Sequence, residues 1–388
     1  MAKIVTDLPD DLWISVFQWL DIVDLTILFA VCGRFLKLAS CNTLWKNLEA
    51  QFINVSPMER FQIKDLCRIS RKWSKGQGYQ FRLQHFNENF MPWTQLSDDK
   101  SYFFLSTGSS IQSWKLKQQL RRSGKSILCA NSYAKFEPKP GCDINKFCVH
   151  SDMMIGAGCK GNIYWKKTNG KESWKNLNSH HSDIFALDFR EKSLVTGSRG
   201  CLKAWKIAED LSFITCLSSV KFGDKVCSLE MNPVKPEFFL GSCGIKSHPL
   251  QIWDLERVEK RYDLGSEFKL GAGALDTQFL SKDLLITAGY DTYIRLWDTR
   301  TSLRNCVKIW EEPHDNTIYC VTSDANHMIL SGSCRHGVVR LWDMRKTKPV
   351  QTFYFGSRRV SSPVYSLQFT RTHLFAALAR GLHCVEFT

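Results

Sequence analysis

Two spacings of apolar residues divide the chain into a helical beginning and a strand-rich remainder. From residue 8 to residue 32 apolar side chains recur every third or fourth position, which predicts three short amphipathic helices within about 40 residues. Pro9 and the two aspartates after it suit a first helical turn. From residue 100 onward, β-branched and aromatic runs alternate with Gly, Ser, Asn and Asp, which predicts an all-β fold.

The strand-rich part is repetitive. Tryptophan recurs towards the end of successive segments, and Val385 takes its place in a degenerate seventh copy; the tryptophans are Trp114, Trp165, Trp205, Trp253, Trp297 and Trp342. The intervals from Trp205 onward are 48, 44, 45 and 43 residues, and a repeat of this length forms one four-stranded propeller blade. The fold class predicted is therefore mainly β, with a three-helix N-terminal unit and a seven-bladed β-propeller.

The spacing also predicts where the units begin and end. The helical unit covers residues 1–50, a helical connector covers 51–78, and the propeller covers 79–388. The seventh copy stops at its third strand, so the last blade needs a strand from elsewhere. We expect the segment 79–86, YQFRLQHF, to supply it and to close the open sheet edges.

Composition excludes several classes of protein. With 44% hydrophobic residues the chain is not disordered, and its apolar runs are too short to span a membrane. The 15 scattered cysteines and the absence of a secretory leader predict an intracellular protein in a reducing compartment, cytoplasmic or nuclear. Cys142, Cys148 and His150 match no common zinc spacing, so neither a metal site nor a cofactor is expected.

Most of the net charge of +14 is concentrated in one segment of the chain. Residues 1–50 carry −2, residues 51–175 carry +12, and residues 176–388 carry +4. The basic middle segment suits a solvated face, a patch that meets an acidic protein, or a nucleic-acid groove. Its role stays open.

The N-terminal motifs resemble an F-box from end to end: LPDDLWISVFQWL, DIVDL, VCGRF and LWKNL stand in the family's order. One residue departs from the family pattern, because Phe35 stands where Trp is usual. The resemblance implies docking onto a Skp-type adaptor and, through it, a cullin and a RING protein. It implies these adaptor contacts: Leu8, Pro9, Leu12, Val16, Phe17, Leu20, Leu25 and Val31. Each of them has an alternative role in the core of the helical unit.

The repeats resemble WD repeats, and long stretches resemble the dactylin-like F-box and WD-repeat proteins, among them LGSEFKLGAGALD, GYDTYIRLWDTRTS and WEEPHDNTIYC. The hydrogen-bonded set of such repeats is incomplete here. We expect His181 in the copy ending at Trp205, and His314 with Ser333 in the copy ending at Trp342, to serve as structural groups rather than catalytic bases.

Related propellers that read phosphate carry arginine on the inner strands and in the adjoining turns. The positions matched here are Ala186, Cys227, Tyr319 and Tyr365 on the inner strands, and Arg199, Tyr290 and Cys334 in the turns. A single arginine disfavours a doubly phosphorylated target. We therefore expect Tyr290, Tyr319, Tyr365 and Arg199 to bind a target peptide of apolar or mixed character.

The sequence contains no GxSxG elbow, no phosphate-binding GxxxxGK(S/T) loop, no HExxH motif and no cysteine with the flanking signature of a nucleophile, so catalysis by this chain is not expected. The resemblance implies a substrate-recognition subunit of a Skp–cullin–F-box ubiquitin ligase, which binds a protein substrate through the propeller. The alternative is a non-catalytic scaffold whose basic middle segment binds an acidic surface or RNA. A membrane partner is not expected, and nucleic acid is the less favoured ligand.

Overall fold

The computed structural model describes residues 8–20, 22–41, 44, 53, 63–116, 134–136, 141–168, 173–208, 212–266, 268–356 and 361–387. The chain forms two compact units, one of residues 1–78 with Phe387 and one of residues 79–386 with Thr388. Across the described ranges, no helix combines the length and the apolar character that a bilayer span needs.

Short helices build the first unit. Those that the structure describes are α1 (Asp10–Phe17), α2 (Ile22–Leu28), α3 (Gly33–Ala39) and α4 (Ile63–Lys75). Asp10 and Asp11 place negative charge in the first turn of α1, where the helix dipole favours it. The thiol of Cys32 accepts a hydrogen bond from the backbone N–H of Phe35 and caps α3.

The core of the first unit is formed by side chains from these helices that pack against one another. Phe17 and Leu25 are buried there with Leu38, and Phe35 packs against this cluster. The Phe35 ring lies 4.7 Å from the Trp13 ring and 5.3 Å from the Phe17 ring, between centroids. The phenylalanine that replaces the usual tryptophan is therefore a packed core residue.

All the described strands belong to the second unit. In chain order they are β1 (Tyr79–His85), β2 (Thr94–Leu96), β3 (Tyr102–Thr107), β4 (Ser110–Lys115), β5 (Ala134–Phe136), β6 (Ile144–His150), β7 (Met153–Gly158), β8 (Asn162–Lys167), β9 (Lys175–Asn178), β10 (Ile184–Arg190), β11 (Ser193–Ile207), β12 (Ile214–Met231), β13 (Glu237–Ser242), β14 (Leu250–Asp254), β15 (Lys260–Asp263), β16 (Ala274–Phe279), β17 (Leu284–Gly289), β18 (Tyr293–Asp298), β19 (Lys308–Glu311), β20 (Ile318–Ser323), β21 (Met328–Ser333), β22 (Val338–Asp343), β23 (Gln351–Tyr354), β24 (Val364–Phe369), β25 (His373–Leu378) and β26 (Gly381–Glu386). A 3₁₀ turn, Cys159–Gly161, joins β7 to β8.

The described strands form six sheets. Five have four strands each, and the sixth runs β10-β11-β12-β13-β14-β15. The prediction of seven blades is therefore wrong, because the repeats ending at Trp205 and Trp253 share one sheet. Strand β12 joins them without a break: it pairs with β11 from Ile214 to Lys225 and with β13 from Val226 to Met231.

The last sheet has the order β1-β26-β25-β24. Strand β1 runs antiparallel to β26, from the pair Tyr79 and Glu386 to the pair His85 and Gly381. A strand from the start of the propeller thus covers the edge of the strand at its end. This pairing leaves β26 with a neighbour on both sides, which removes one edge that invites aggregation.

Buried hydrogen bonds hold the tryptophan of several repeats. The Trp205 indole donates to Thr196 Oγ1 at 2.8 Å, and His180 shares that hydroxyl at 2.8 Å while Ser198 bonds its other ring nitrogen at 2.9 Å. The structure thus places His180, rather than His181, in this network. Burial lowers the pKa of His180 to about 4, with a smaller effect of Lys203.

The repeat ending at Trp342 is held differently. Its indole donates to Ser331 at 2.8 Å, whereas the Ser333 hydroxyl donates to the backbone carbonyl of Arg335. His314 donates its backbone N–H to Glu312, whose carboxylate forms a buried 2.6 Å ion pair with Arg340. In this blade the buried ion pair of Arg340 with Glu312 therefore takes the structural role that the sequence suggested for His314.

Candidate functional site

The residues expected to contact an adaptor divide into two groups. Five are exposed on the surface of the first unit: Leu8, Pro9, Leu12, Val16 and Val31. Phe17 and Leu25 are fully buried, and Leu20 packs against the same core. Only the exposed group is placed to meet a partner without a change in the unit's core.

Three further apolar side chains are exposed on this unit and were missed by sequence reasoning. Trp19 is 90% exposed, and Ile27 and Leu36 are also open to solvent. The helical spacing of Leu12, Val16 and Trp19 is the signal that would have found the tryptophan. An exposed apolar cluster of this size is typical of an interaction surface.

A forked contact fixes the start of α1. The Arg34 guanidinium donates to Asp10 Oδ1 at 2.7 Å and to the carbonyl oxygen of Leu8 at 2.6 Å. Both charged side chains are largely exposed, so the ion pair contributes about 1 kcal/mol or less. Its role is to position Leu8 beside α3 through two bonds from one planar group.

In the second unit, the inner strands surround a channel. The channel is a cavity of about 360 Å³, lined by residues of β2, β6, β10, β12, β16, β20 and β24. In six of these strands the pairing register shifts at the second residue of the inner segment, which marks a β-bulge. The bulge residues are Asn145, Phe185, Cys227, Leu275, Tyr319 and Tyr365. They stand just before the residues that line the channel, and we call them the channel mouth.

The bulges correct one sequence assignment. Ala186 is paired with Gly197 and fully buried, so it is one position away from the mouth. Phe185, between the paired residues Ile184 and Ala186, is the equivalent of Cys227, Tyr319 and Tyr365. Strand pairing identifies the unpaired residue, whereas spacing along the chain does not, and for this reason the sequence assignment named Ala186 rather than Phe185.

The three tyrosines expected to bind a target lie together. The rings of Tyr319 and Tyr365 are 6.1 Å apart between centroids, and both are partly buried. Burial raises the pKa of Tyr290, with smaller effects of Cys227 and Tyr319. Burial also raises the pKa of Tyr319 and of Tyr365. All three phenols are therefore neutral donors at physiological pH.

Arg199 lies on β11, next to the strand that carries Cys227. It is exposed and faces Lys225 directly across the ladder of β11 and β12. The Lys225 ammonium lies 3.7 Å from the centroid of the Phe185 ring, a cation–π distance. Arg199 is thus connected to the channel mouth through Lys225 and Phe185.

Tyr290 also lines a second cavity, of about 520 Å³. Phe268, Leu270 and Tyr293 form its apolar walls, and Leu270 is largely exposed. Arg295 is already satisfied there, because its guanidinium pairs with Asp291 and lies 5.1 Å from the rings of both Phe268 and Tyr293. This cavity extends the apolar surface beside Tyr290.

Within the channel, polar side chains tie each inner strand to the next. The side-chain amide of Gln95 bonds both the N–H and the carbonyl of Val149, and Gln278 bonds Ser323 in the same way. Glu230 takes the equivalent position and accepts from the N–H of Phe279 at 2.9 Å.

Two aspartates make similar ties. Asp188 accepts from the N–H of Met231 at 2.7 Å, and Asp276 accepts from the N–H of Val321 at 2.8 Å. Burial raises the pKa of Asp188, Glu230 and Asp276, and Asp188 adds to the effect on Glu230. The polar lining of the channel is therefore structural.

Comparison with known proteins defines the class. A family model described as F-box-like matches residues 5–51, and one described as WD domain, G-beta repeat, matches residues 304–343. An N-terminal helical unit of this kind, followed by a propeller of WD repeats, defines an F-box and WD-repeat protein.

Similar proteins of full length make the assignment more specific. F-box/WD repeat-containing protein 4 of Homo sapiens is 34% identical, over 98% of this chain and 92% of that protein. Its Mus musculus counterpart is 35% identical over the same shares. The chain therefore belongs to the family of F-box/WD repeat-containing protein 4. The crystal structure of the RRP9 WD40 repeats shares the propeller fold, with a TM-score of 0.62 at 15% identity, over 79% of this chain and 96% of that one.

Proposed function

We propose that this chain is the substrate-recognition subunit of a Skp–cullin–F-box ubiquitin ligase, in the dactylin-like subfamily. The observation that carries the proposal is the exposed apolar surface of Leu12, Val16 and Trp19 in an F-box-like unit. A surface of this kind suits a helical partner such as a Skp-type adaptor. The propeller supplies a second, separate surface at the channel mouth for a protein substrate.

The proposed mechanism is positional. The chain forms no covalent bond with the substrate; it holds the substrate in the complex that a cullin and a RING protein complete. Tethering raises the effective concentration of the substrate's lysines near the charged conjugating enzyme. The described cysteines are free thiols, which suits the intracellular location, cytoplasmic or nuclear, that such a ligase requires.

The test is co-purification of a Skp-type adaptor and a cullin with the full chain. We expect Leu12→Asp with Val16→Asp to abolish recovery of both, since it places two carboxylates on the apolar surface. Ile309→Asp is the matched control, because Ile309 is also about half exposed but lies on β19 of the propeller. Undiminished adaptor recovery with the double variant would contradict the proposal.

The scaffold alternative predicts a different result in the same experiment. A scaffold that binds RNA or an acidic surface through the basic segment loses its partner steeply as salt rises. Docking of an apolar helical surface changes little over the same range of salt. Recovery of the adaptor at moderate ionic strength therefore favours the ligase subunit.

A further inference from the structure

Two like charges face each other beside the channel mouth. Arg199 and Lys225 are direct partners in the ladder of β11 and β12. Like charges directly opposite each other destabilise a sheet. Fold stability therefore does not explain this pair, and residues that oppose stability often serve binding.

The carboxylate next to Lys225 in the chain binds other groups. Asp224, next to Lys225 in the chain, accepts from the backbone N–H groups of Lys225, Ile245 and Lys246, and from the thiol of Cys243. The bonds from Cys243 and these N–H groups outweigh burial and lower the pKa of Asp224 to about 2. Its oxygens are thus occupied by neutral donors of the loop that it organises.

The Cys227 thiol, two residues from Lys225, carries no charge, because burial raises its pKa to about 12. Within the described part of the chain, no carboxylate forms an ion pair with Arg199 or Lys225. Both cations are therefore open to an ion pair with a ligand.

The other side of the mouth is apolar and aromatic. From Lys225, which lies over the Phe185 ring, the mouth continues through the bulge residues Cys227 and Leu275 of the next inner strands to the ring contact of Tyr319 with Tyr365. Tyr290 is 43% exposed, and the cavity beside it adds Leu270. A positive end and an aromatic end thus lie on one continuous surface.

We propose that the channel mouth binds an extended peptide segment of the target, with one carboxylate of the segment on Arg199 and Lys225 and an apolar or aromatic side chain against Tyr319 and Tyr365. This inference rests on the proposed function, since it names the class of substrate that the propeller captures. Charge complementarity selects an acidic segment. One guanidinium and one ammonium suit a carboxylate, because recognition of phosphate relies on several forked arginines.

The test is selection of peptides from a displayed library of random, unphosphorylated 12-residue sequences on the purified full chain, whether or not an adaptor is recovered with it. We expect the selected peptides to be enriched in Asp or Glu at a fixed distance from an aromatic or large aliphatic residue. With Arg199→Gln and Lys225→Gln combined, the acidic enrichment should disappear while the apolar preference remains. Lys206→Gln is the control, because Lys206 is an exposed lysine of β11 opposite Thr215, at the far end of the same ladder.

Three results would overturn the proposal: no enriched peptides, acidic enrichment that survives in the double variant, or enrichment found only in a second library with phosphoserine fixed at the centre. The melting temperature of the double variant should equal or exceed that of the wild type, since like-charge repulsion is removed. Recovery of the adaptor in each preparation reports separately on the proposed function. If peptides are selected normally but no adaptor is recovered, the ligase role fails and the peptide site stands.

Discussion

The Glu230 carboxylate accepts a hydrogen bond from the backbone N–H of Phe279 at 2.9 Å, inside the channel. At the equivalent position Gln95 and Gln278 bond both the N–H and the carbonyl of the next strand. The neutral amide of a glutamine therefore makes two hydrogen bonds to the next strand, whereas the Glu230 carboxylate makes one. The amide also avoids the cost of burying a charge.

We predict that Glu230→Gln stabilises the propeller at pH 7, by about 1 kcal/mol in the free energy of unfolding. Burial, with Asp188 nearby, raises the pKa of Glu230 in the folded state. A raised carboxyl pKa contributes stability below the unfolded pKa, and this stability is lost as the pH rises through the folded pKa. Urea unfolding at pH 4 and pH 7 should show a gain for the variant that is larger at pH 7. A gain that is equal at both pH values would contradict this assignment.

For His180 we expect the free energy of unfolding to depend on pH in the opposite direction. Its pKa is lowered to about 4 by burial, so the stability that its neutral form provides is present above the unfolded pKa near 6.5 and lost as the pH falls towards 4. We expect a loss of up to about 2 kcal/mol between pH 7.5 and pH 5 from this residue. His180→Gln should flatten that part of the stability curve, whereas replacement of the exposed His181 by Gln should leave it unchanged. Equal curves for both variants would exclude His180 as the source.

The pairing of β1 with β26 predicts that substitutions on β1 destabilise the propeller. Phe81 lies opposite Cys384 and packs against the buried cluster of Phe375 and Leu382. Phe81→Asp places a charge there, and we expect it to lower the free energy of unfolding by about 3 kcal/mol and to promote aggregation through the exposed edge of β26. Tyr354→Asp, at an exposed position on β23, is the control. Thermal melting with light scattering provides the measurement, and an unchanged transition for Phe81→Asp would show that closure by β1 is dispensable.

Tyr319→Ala combined with Tyr365→Ala tests the aromatic end of the mouth. Loss of the two rings, 6.1 Å apart, should weaken binding of a selected peptide at least about tenfold, because large rings contribute area at little cost in conformational entropy. Adaptor recovery should stay normal. Tyr79→Ala, a largely exposed tyrosine on β1, is the matched control for fluorescence anisotropy of a labelled peptide. Peptide binding that survives the double change would assign the site to another surface.

Much of the architecture was accessible from the sequence, because its signals are local. Helical spacing near Leu12 and Val16 indicated the amphipathic helix α1, and the recurring tryptophans indicated WD repeats. The number of blades was not accessible. The backbone continues as one strand from the repeat ending at Trp205 into the repeat ending at Trp253, through Gly223. The number of sheets depends on the pairing of β12 with both β11 and β13. Local sequence patterns do not show such pairing, because it joins residues that are distant in the chain.

The site was predicted less completely, for physical reasons. The unpaired residue of a bulge is defined by strand pairing and not by spacing along the chain, so Phe185 was not distinguished from Ala186. Adjacent histidines are indistinguishable by spacing, so the choice of His180 depended on which ring reaches Thr196. Lys225 was missed as well, because its partner across the ladder, Arg199, is 26 residues away in the chain.

The continuous strand β12 has a consequence for how the propeller opens. Repeats separated by loops can lose structure one at a time, as partly independent cooperative units. The repeats ending at Trp205 and Trp253 share a hydrogen-bonded backbone from Ile214 to Met231, so neither can detach without breaking the other's ladder. Amide protons along this strand should therefore exchange with solvent in a single event, and an insertion near Lys225 would uncouple two repeats that the native chain keeps as one.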